Sequence, residues 1–159
     1  MNTSVDPLID ELLYARQIMR KLLHDLEKAH ADTQELYPTW TIKELLSHIA
    51  GWDDACIASL QAFTQGTVPS TPAARGIDLY NASTVAERAA LPLDKVIQEW
   101  EQTRQTFIQA IRDLPTEKLD EPFVFAWGRT GNLSQLVRIF VEHEEEHAQE
   151  IRTKLSVVG

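Results

Sequence analysis

His143 and His147 stand four residues apart in VEHEEEHAQEIRTKL, a stretch free of glycine and proline. On an α-helix that spacing advances the side chain by about 400°, so the two imidazoles lie about 40° apart on one face, within reach of a single ion. Two ligands alone hold a metal weakly. A third histidine, His48, stands far upstream in WTIKELLSHIAGWDD. Three neutral imidazoles form a nitrogen donor set suited to zinc, nickel, iron or copper and poorly suited to calcium or magnesium. Three protein ligands also leave coordination positions open for a water or a substrate thiolate, whose pKa the ion would lower to supply a nucleophile at neutral pH. The only cysteine, Cys56, excludes a closed, cysteine-rich structural zinc site.

Histidines this far apart in sequence meet only if the helices that carry them pack together. Four long helical patterns hold nearly all the apolar residues. The first runs from about Val5 to Lys28, with Leu8, Leu12, Ala15, Met19, Leu22 and Leu26 at helical spacing. The second opens at the capping box Thr41-x-x-Glu44 and continues through Ile42, Leu45, Ile49, Trp52, Cys56, Leu60 and Phe63 to Gly66. A long connection punctuated by Gly66, Pro69, Pro72 and Gly76 follows, with a short helix expected in IDLYNASTVAERAA. Leu93, Val96, Ile97, Trp100, Phe107, Ile111 and Leu114 trace the third long helix, whose apolar stripe Arg104 interrupts. EPFVFAWGRTG reads as extended and turn-like, and Asn132-x-x-Gln135 caps the last helix, which carries Leu133, Leu136, Phe140, Ile151 and Leu155. Sustained period-2 alternation is absent, so an all-α four-helix bundle forming one domain over residues 1–159 is expected. The second-to-third connection exceeds what a bundle hairpin needs and is long enough to cross the bundle.

His147 falls near the stripe of Leu133, Phe140 and Ile151, His143 lies on its flank, and His48 lies at the edge of its own stripe one turn before Trp52. His143 and His147 therefore point inward and His48 could face a neighbouring helix, although single histidines on apolar faces are more often satisfied boundary residues. His24 and His30 read as solvated. Residues 143–147 also satisfy H-E-x-x-H, the zinc motif of metalloproteases. The twelve positions after His147 offer only Glu150, too close along the same helix to complete a protease site. Glu144 falls near the centre of the stripe, where burying a carboxylate is costly without a partner. It is expected either to support a ligand or to act as a general base. Glu142, Glu145, Glu146 and Glu150 read as solvated, with Glu150 placed to pair with Lys154. Trp40, Trp52, Trp127, Phe125 and Tyr80 are candidate cavity walls, and Arg129 in GRTG could bind a carboxylate group; the bland readings are core aromatics and an exposed loop arginine. Cys56, on its stripe, reads as core.

Composition narrows the function classes. With 159 residues, 43% of them hydrophobic, the chain can bury one core. Its 24 acidic and 15 basic residues give a net charge of -9, which disfavours a nucleic-acid partner. A lone cysteine, no basic-then-apolar start and no apolar run near the roughly 20 residues of a membrane span lead to the expectation of a soluble, cytoplasmic protein.

Taken together, WTIKELLSHIAGWDD and EHEEEHAQEIR, in that order and at that separation, resemble the DinB/YfiT-like superfamily, over most of the chain from the first helix to about Leu155. The resemblance implies a four-helix bundle, commonly a homodimer, with a divalent metal held by residues at the positions of His48, His143 and His147. It also implies relatives that use a low-molecular-weight thiol, bacillithiol or mycothiol, in S-transfer or isomerisation. IDLYNASTVAERAALPLDKVIQEW further resembles a branch related to colibactin self-protection proteins, associated with hydrolytic opening of a reactive cyclopropane. In that branch the position of His48 need not be histidine, so its presence here keeps a metal-dependent route open. The expectation is a metal-binding protein (zinc, nickel or iron) that activates a thiol or water for attack on a small electrophile. Two alternatives stand beside it: a metal-dependent hydrolase with Glu144 as base, and a non-enzymatic stress or resistance protein that binds a small molecule.

Overall fold

The computed structural model describes residues 4–30, 36 and 40–158. Four long helices form a bundle: α1 (Asp6–Lys28), α2 (Ile42–Gln65), α4 (Leu93–Arg112) and α5 (Leu133–Val158), with a shorter α3 (Ile77–Glu87) between α2 and α4. Local signals set several ends. The Thr41 hydroxyl accepts from the Glu44 backbone N–H while the Glu44 carboxylate accepts from the Thr41 N–H, and Gly66 closes α2 in the left-handed region at φ 73. Asn132 and Gln135 make the same reciprocal pair at the start of α5. The aromatic segment before α5 forms a two-residue hairpin, β1 (Phe123–Val124) against β2 (Thr130–Gly131). Its strands are too short to alter the fold class.

Two apolar clusters make the core, and their membership fixes the direction of each helix. Along α1 the buried residues pass from the first cluster (Ile9, Leu12) to the second (Met19, Leu26), and along α5 from the first (Leu133, Phe140) to the second (Ala148, Ile151). In α2 and α4 the order is reversed, from Leu45 to Leu60 and from Val96 to Ile111. Because α2 and α4 run the same way, the chain between them must return along the bundle, and that return carries α3. The expected crossover and extra helix are therefore both present. Gly51 makes the seat for α3: a Cβ there would collide with the side chain of Thr84, the one buried residue of α3.

Between the two clusters each long helix places one buried charge: Arg16 on α1, Asp53 on α2, Arg104 on α4 and Glu144 on α5. Such a layer is roughly neutral for stability against an apolar equivalent, whereas each well-buried leucine or phenylalanine contributes about 1.5–3 kcal/mol. The clusters hold the bundle, and the charges fix which residues lie level with one another.

Candidate metal centre

His48 on α2 and His143 and His147 on α5 come together, their ligand-capable nitrogens within 4.8 Å of one another. The three expected residues are thus brought to one place from two helices, His48 and His143 being 95 positions apart in sequence. His143 Nε2 lies 3.0 Å from His48 Nε2 and 3.1 Å from His147 Nε2. The nitrogens of a tetrahedral zinc site, with Zn–N near 2.0–2.1 Å, are about 3.3–3.4 Å apart, so a small outward shift of the rings would fit an ion.

Proton counting makes the trio unusual. A neutral imidazole carries one N–H. His147 Nδ1 lies 2.8 Å from Glu150 Oε2, and since a carboxylate only accepts, the one proton of a neutral His147 ring sits on Nδ1 and its Nε2 then presents a lone pair. His143 Nε2 then faces two nitrogens and has at most one proton to offer. Burial, followed by the neighbouring imidazoles, lowers the pKa of His48 to about 2, and burial with His147 lowers that of His143 to about 3, so neither supplies a second proton at neutral pH. His48 Nδ1 is also buried without a partner among the described residues. The donor set fits a cation that accepts all three lone pairs. Glu150 was expected to pair with Lys154; instead, three residues after His147, it reaches the ring and orients it, as outer carboxylates do at metal-bound histidines.

Glu144 faces the opposite way, into the charge layer. Its Oε1 accepts from Arg16 Nε at 2.7 Å and its Oε2 from Arg104 Nη1 at 2.6 Å. Arg104 also grips Asp53 with two parallel bonds of 3.0 Å, while Arg16 donates to the Trp100 carbonyl at 2.7 Å. Burial alone would raise the Glu144 pKa, but Arg104 and Arg16 outweigh it and hold the carboxyl below its usual value. The structure therefore puts Glu144 with two arginines rather than with the histidines. Arg16 and Asp53 were not singled out from sequence. The available signal was that each long helix interrupts its stripe with one charge, two of each sign.

A cavity of about 540 Å³ opens onto the trio. Trp40, Trp52, Trp127 and Phe140 wall it, and Arg129, Glu146, Ile77, Ile139 and Asn81 also line it. Trp40 lies over His48 with ring centroids 4.7 Å apart, and Trp52 meets Trp127 edge-on at 5.6 Å. Glu146 is exposed as expected yet borders the cavity, as does exposed Arg129. Two expected wall residues stand behind this layer: Phe125 is fully buried against Trp127, and Tyr80 packs on Trp52 while donating to the Gly51 carbonyl at 2.6 Å. Cys56 is core, its thiol pKa pushed up by burial, and His24 and His30 are exposed.

The model of the DinB superfamily matches residues 11–151, a span that includes all three histidines and the four buried charges. The chain belongs to the DinB superfamily. Two solved structures of mycothiol-dependent maleylpyruvate isomerase, one a histidine-to-alanine mutant, superpose on this DinB protein with a TM-score of 0.70 at 18% identity. The match covers 91% of this chain and 60% of the isomerase, so the chain spans less than two thirds of that enzyme's length. At that identity the likeness is one of fold. No curated protein matches the sequence. Among the described residues no helix is long and apolar enough to cross a membrane.

Proposed function

We propose that this DinB protein is a metalloenzyme in which His48, His143 and His147 hold a divalent zinc, nickel or iron ion and the adjoining cavity admits a low-molecular-weight thiol and a small electrophile. The observation that carries the reading is the shortage of protons among three clustered ring nitrogens that open onto a cavity. Bound there, a divalent ion lowers the pKa of a thiol or water and supplies a nucleophile at neutral pH. Glu150 fixes the tautomer of His147, and the tryptophans exclude bulk water and offer flat apolar faces to an electrophile. Arg129, at the cavity, suits a carboxylate group on that molecule. The thiol part of the reading is supported by the fold shared with an isomerase whose name records dependence on mycothiol.

Glu144 serves this reading as a structural anion. With both oxygens bonded to arginines and its pKa lowered, it is a poor proton acceptor, which weighs against the hydrolase that would use it as base. The test is a panel of mycothiol, bacillithiol and glutathione, each offered with an activated aryl halide to metal-loaded protein. Turnover with thiol and none in water is expected, falling to background in His143→Ala/His147→Ala. Turnover in water alone would establish a hydrolase, and no turnover alongside saturable ligand-induced stabilisation would establish a binding protein.

A further inference from the structure

The helix α3 buries only Thr84 and leaves Ile77 and Leu79 exposed, so it contributes little to the core. Three contacts nevertheless fix it on α2: Thr84 against Gly51, the Tyr80 hydroxyl on the Gly51 carbonyl, and the Trp52 indole bonded to Asn81. The last decides what Asn81 shows the cavity. Trp52 Nε1 lies 2.7 Å from the Asn81 side chain, and an indole N–H can only donate, so the amide atom there must be the carbonyl oxygen. The orientation of the amide follows from that chemistry. Asn81 thereby uses its acceptor on the protein and retains its –NH2, which has no protein acceptor among the described residues and belongs to a side chain lining the cavity.

We infer that Asn81 is a specificity-determining residue of the cavity, donating from its amide nitrogen to an acceptor oxygen, carbonyl or carboxylate, on a flat conjugated electrophile. The inference rests on the reading of the cavity as the substrate site. The aromatic walls provide faces for a planar group, and Arg129 provides a second donor, while Glu146, exposed, is the one carboxylate in the lining. A ligand that offers oxygen acceptors satisfies Asn81 and Arg129 together. A ligand that offers only donors leaves both unpaired, and the unmet polar groups cost that ligand affinity, which is the source of discrimination. On this account the Trp52–Asn81 bond keeps the amide from rotating to accept such a ligand.

Asn81→Asp separates this role from a structural one, because the carboxylate has the same shape and still accepts from Trp52 but has no donor left for the cavity. The experiment uses zinc-loaded protein and two planar probes of matched size, trans-cinnamate and cinnamylammonium, with binding read from quenching of tryptophan fluorescence. The wild type is expected to bind cinnamate about tenfold or more tightly than cinnamylammonium, and Asn81→Asp to weaken cinnamate by about tenfold or more, erasing the preference. Benzylideneacetone, a neutral carbonyl acceptor, should lose affinity in the same variant, which assigns the effect to hydrogen bonding as well as charge. Equal binding of the two charged probes by wild type, or a preference unmoved in Asn81→Asp, would overturn the inference. Zinc content measured on the same samples keeps the two readings apart. Zinc absent from wild type sinks the metal reading, and zinc present with the preference unmoved sinks only the role of Asn81.

Discussion

His143 and Glu144 are neighbours on α5, yet they belong to polar clusters with opposite chemistry. Glu144 enters a closed layer of two arginines and two carboxylates in which every carboxylate oxygen accepts a hydrogen bond, and all four side chains are at most 2% exposed. His143 enters a group with fewer protons than nitrogens, beside a cavity. Both clusters draw on helices distant in sequence, and both are buried at a cost. The closed layer is complete with protein atoms alone. On the proposed reading the histidine trio is completed by a cation, and that difference separates a structural network from a site.

The largest way to break the comparison is to open the closed layer. Glu144→Ala leaves Arg16 and Arg104 buried with a partner missing, and is expected to lower stability by about 3–5 kcal/mol in urea denaturation. A loss under about 1 kcal/mol would mean the layer is idle. Next comes the support of the open cluster. Glu150→Ala should leave the three nitrogens in place but weaken zinc binding by about 10–100-fold in competition with a chromophoric chelator. The smallest effect is expected where the layer's logic does not apply: His48→Ala removes a ring whose Nδ1 has no partner among the described residues, so metal-free stability should change by about 1 kcal/mol or less.

Acid sharpens the contrast. His48 and His143 have folded pKa values of about 2 and about 3, below the ordinary 6.5, so the unfolded chain takes up their protons first. Their neutral forms contribute full stability above about pH 6.5, and stability falls from there toward pH 3. Glu144, also lowered, contributes above its ordinary 4.5 and loses that contribution as pH falls through its depressed value. In metal-free protein the wild type should weaken from pH 6.5 downward, whereas His48→Ala/His143→Ala should stay nearly level to about pH 4.5. Parallel curves for the two would show that these histidines do not sense burial.

Much of this was legible in the sequence because it is local. Capping residues at Thr41 and Asn132, the break at Gly66 and the one-turn spacing of His143 and His147 each act within a few positions, and all appear where they were expected. The long second-to-third connection likewise foretold a crossover. The charge layer was not legible, because a single charge in a stripe, such as Arg16 between Leu12 and Met19, looks like a boundary residue until its partners on three other helices are known. Glu150 was misread for a related reason. Lys154 and His147 are both about one turn away, and only the burial of the histidine decides between them.

The central claim is that the trio awaits a cation, and metal content tests it most directly. Wild-type protein without a histidine tag, His48→Ala and His143→Ala/His147→Ala would be purified alike, checked for equal helicity, and analysed for zinc, nickel and iron. The account predicts close to one ion per chain in the wild type and close to none in either variant. Equal metal in all three, or none in any after incubation with each ion, would contradict it.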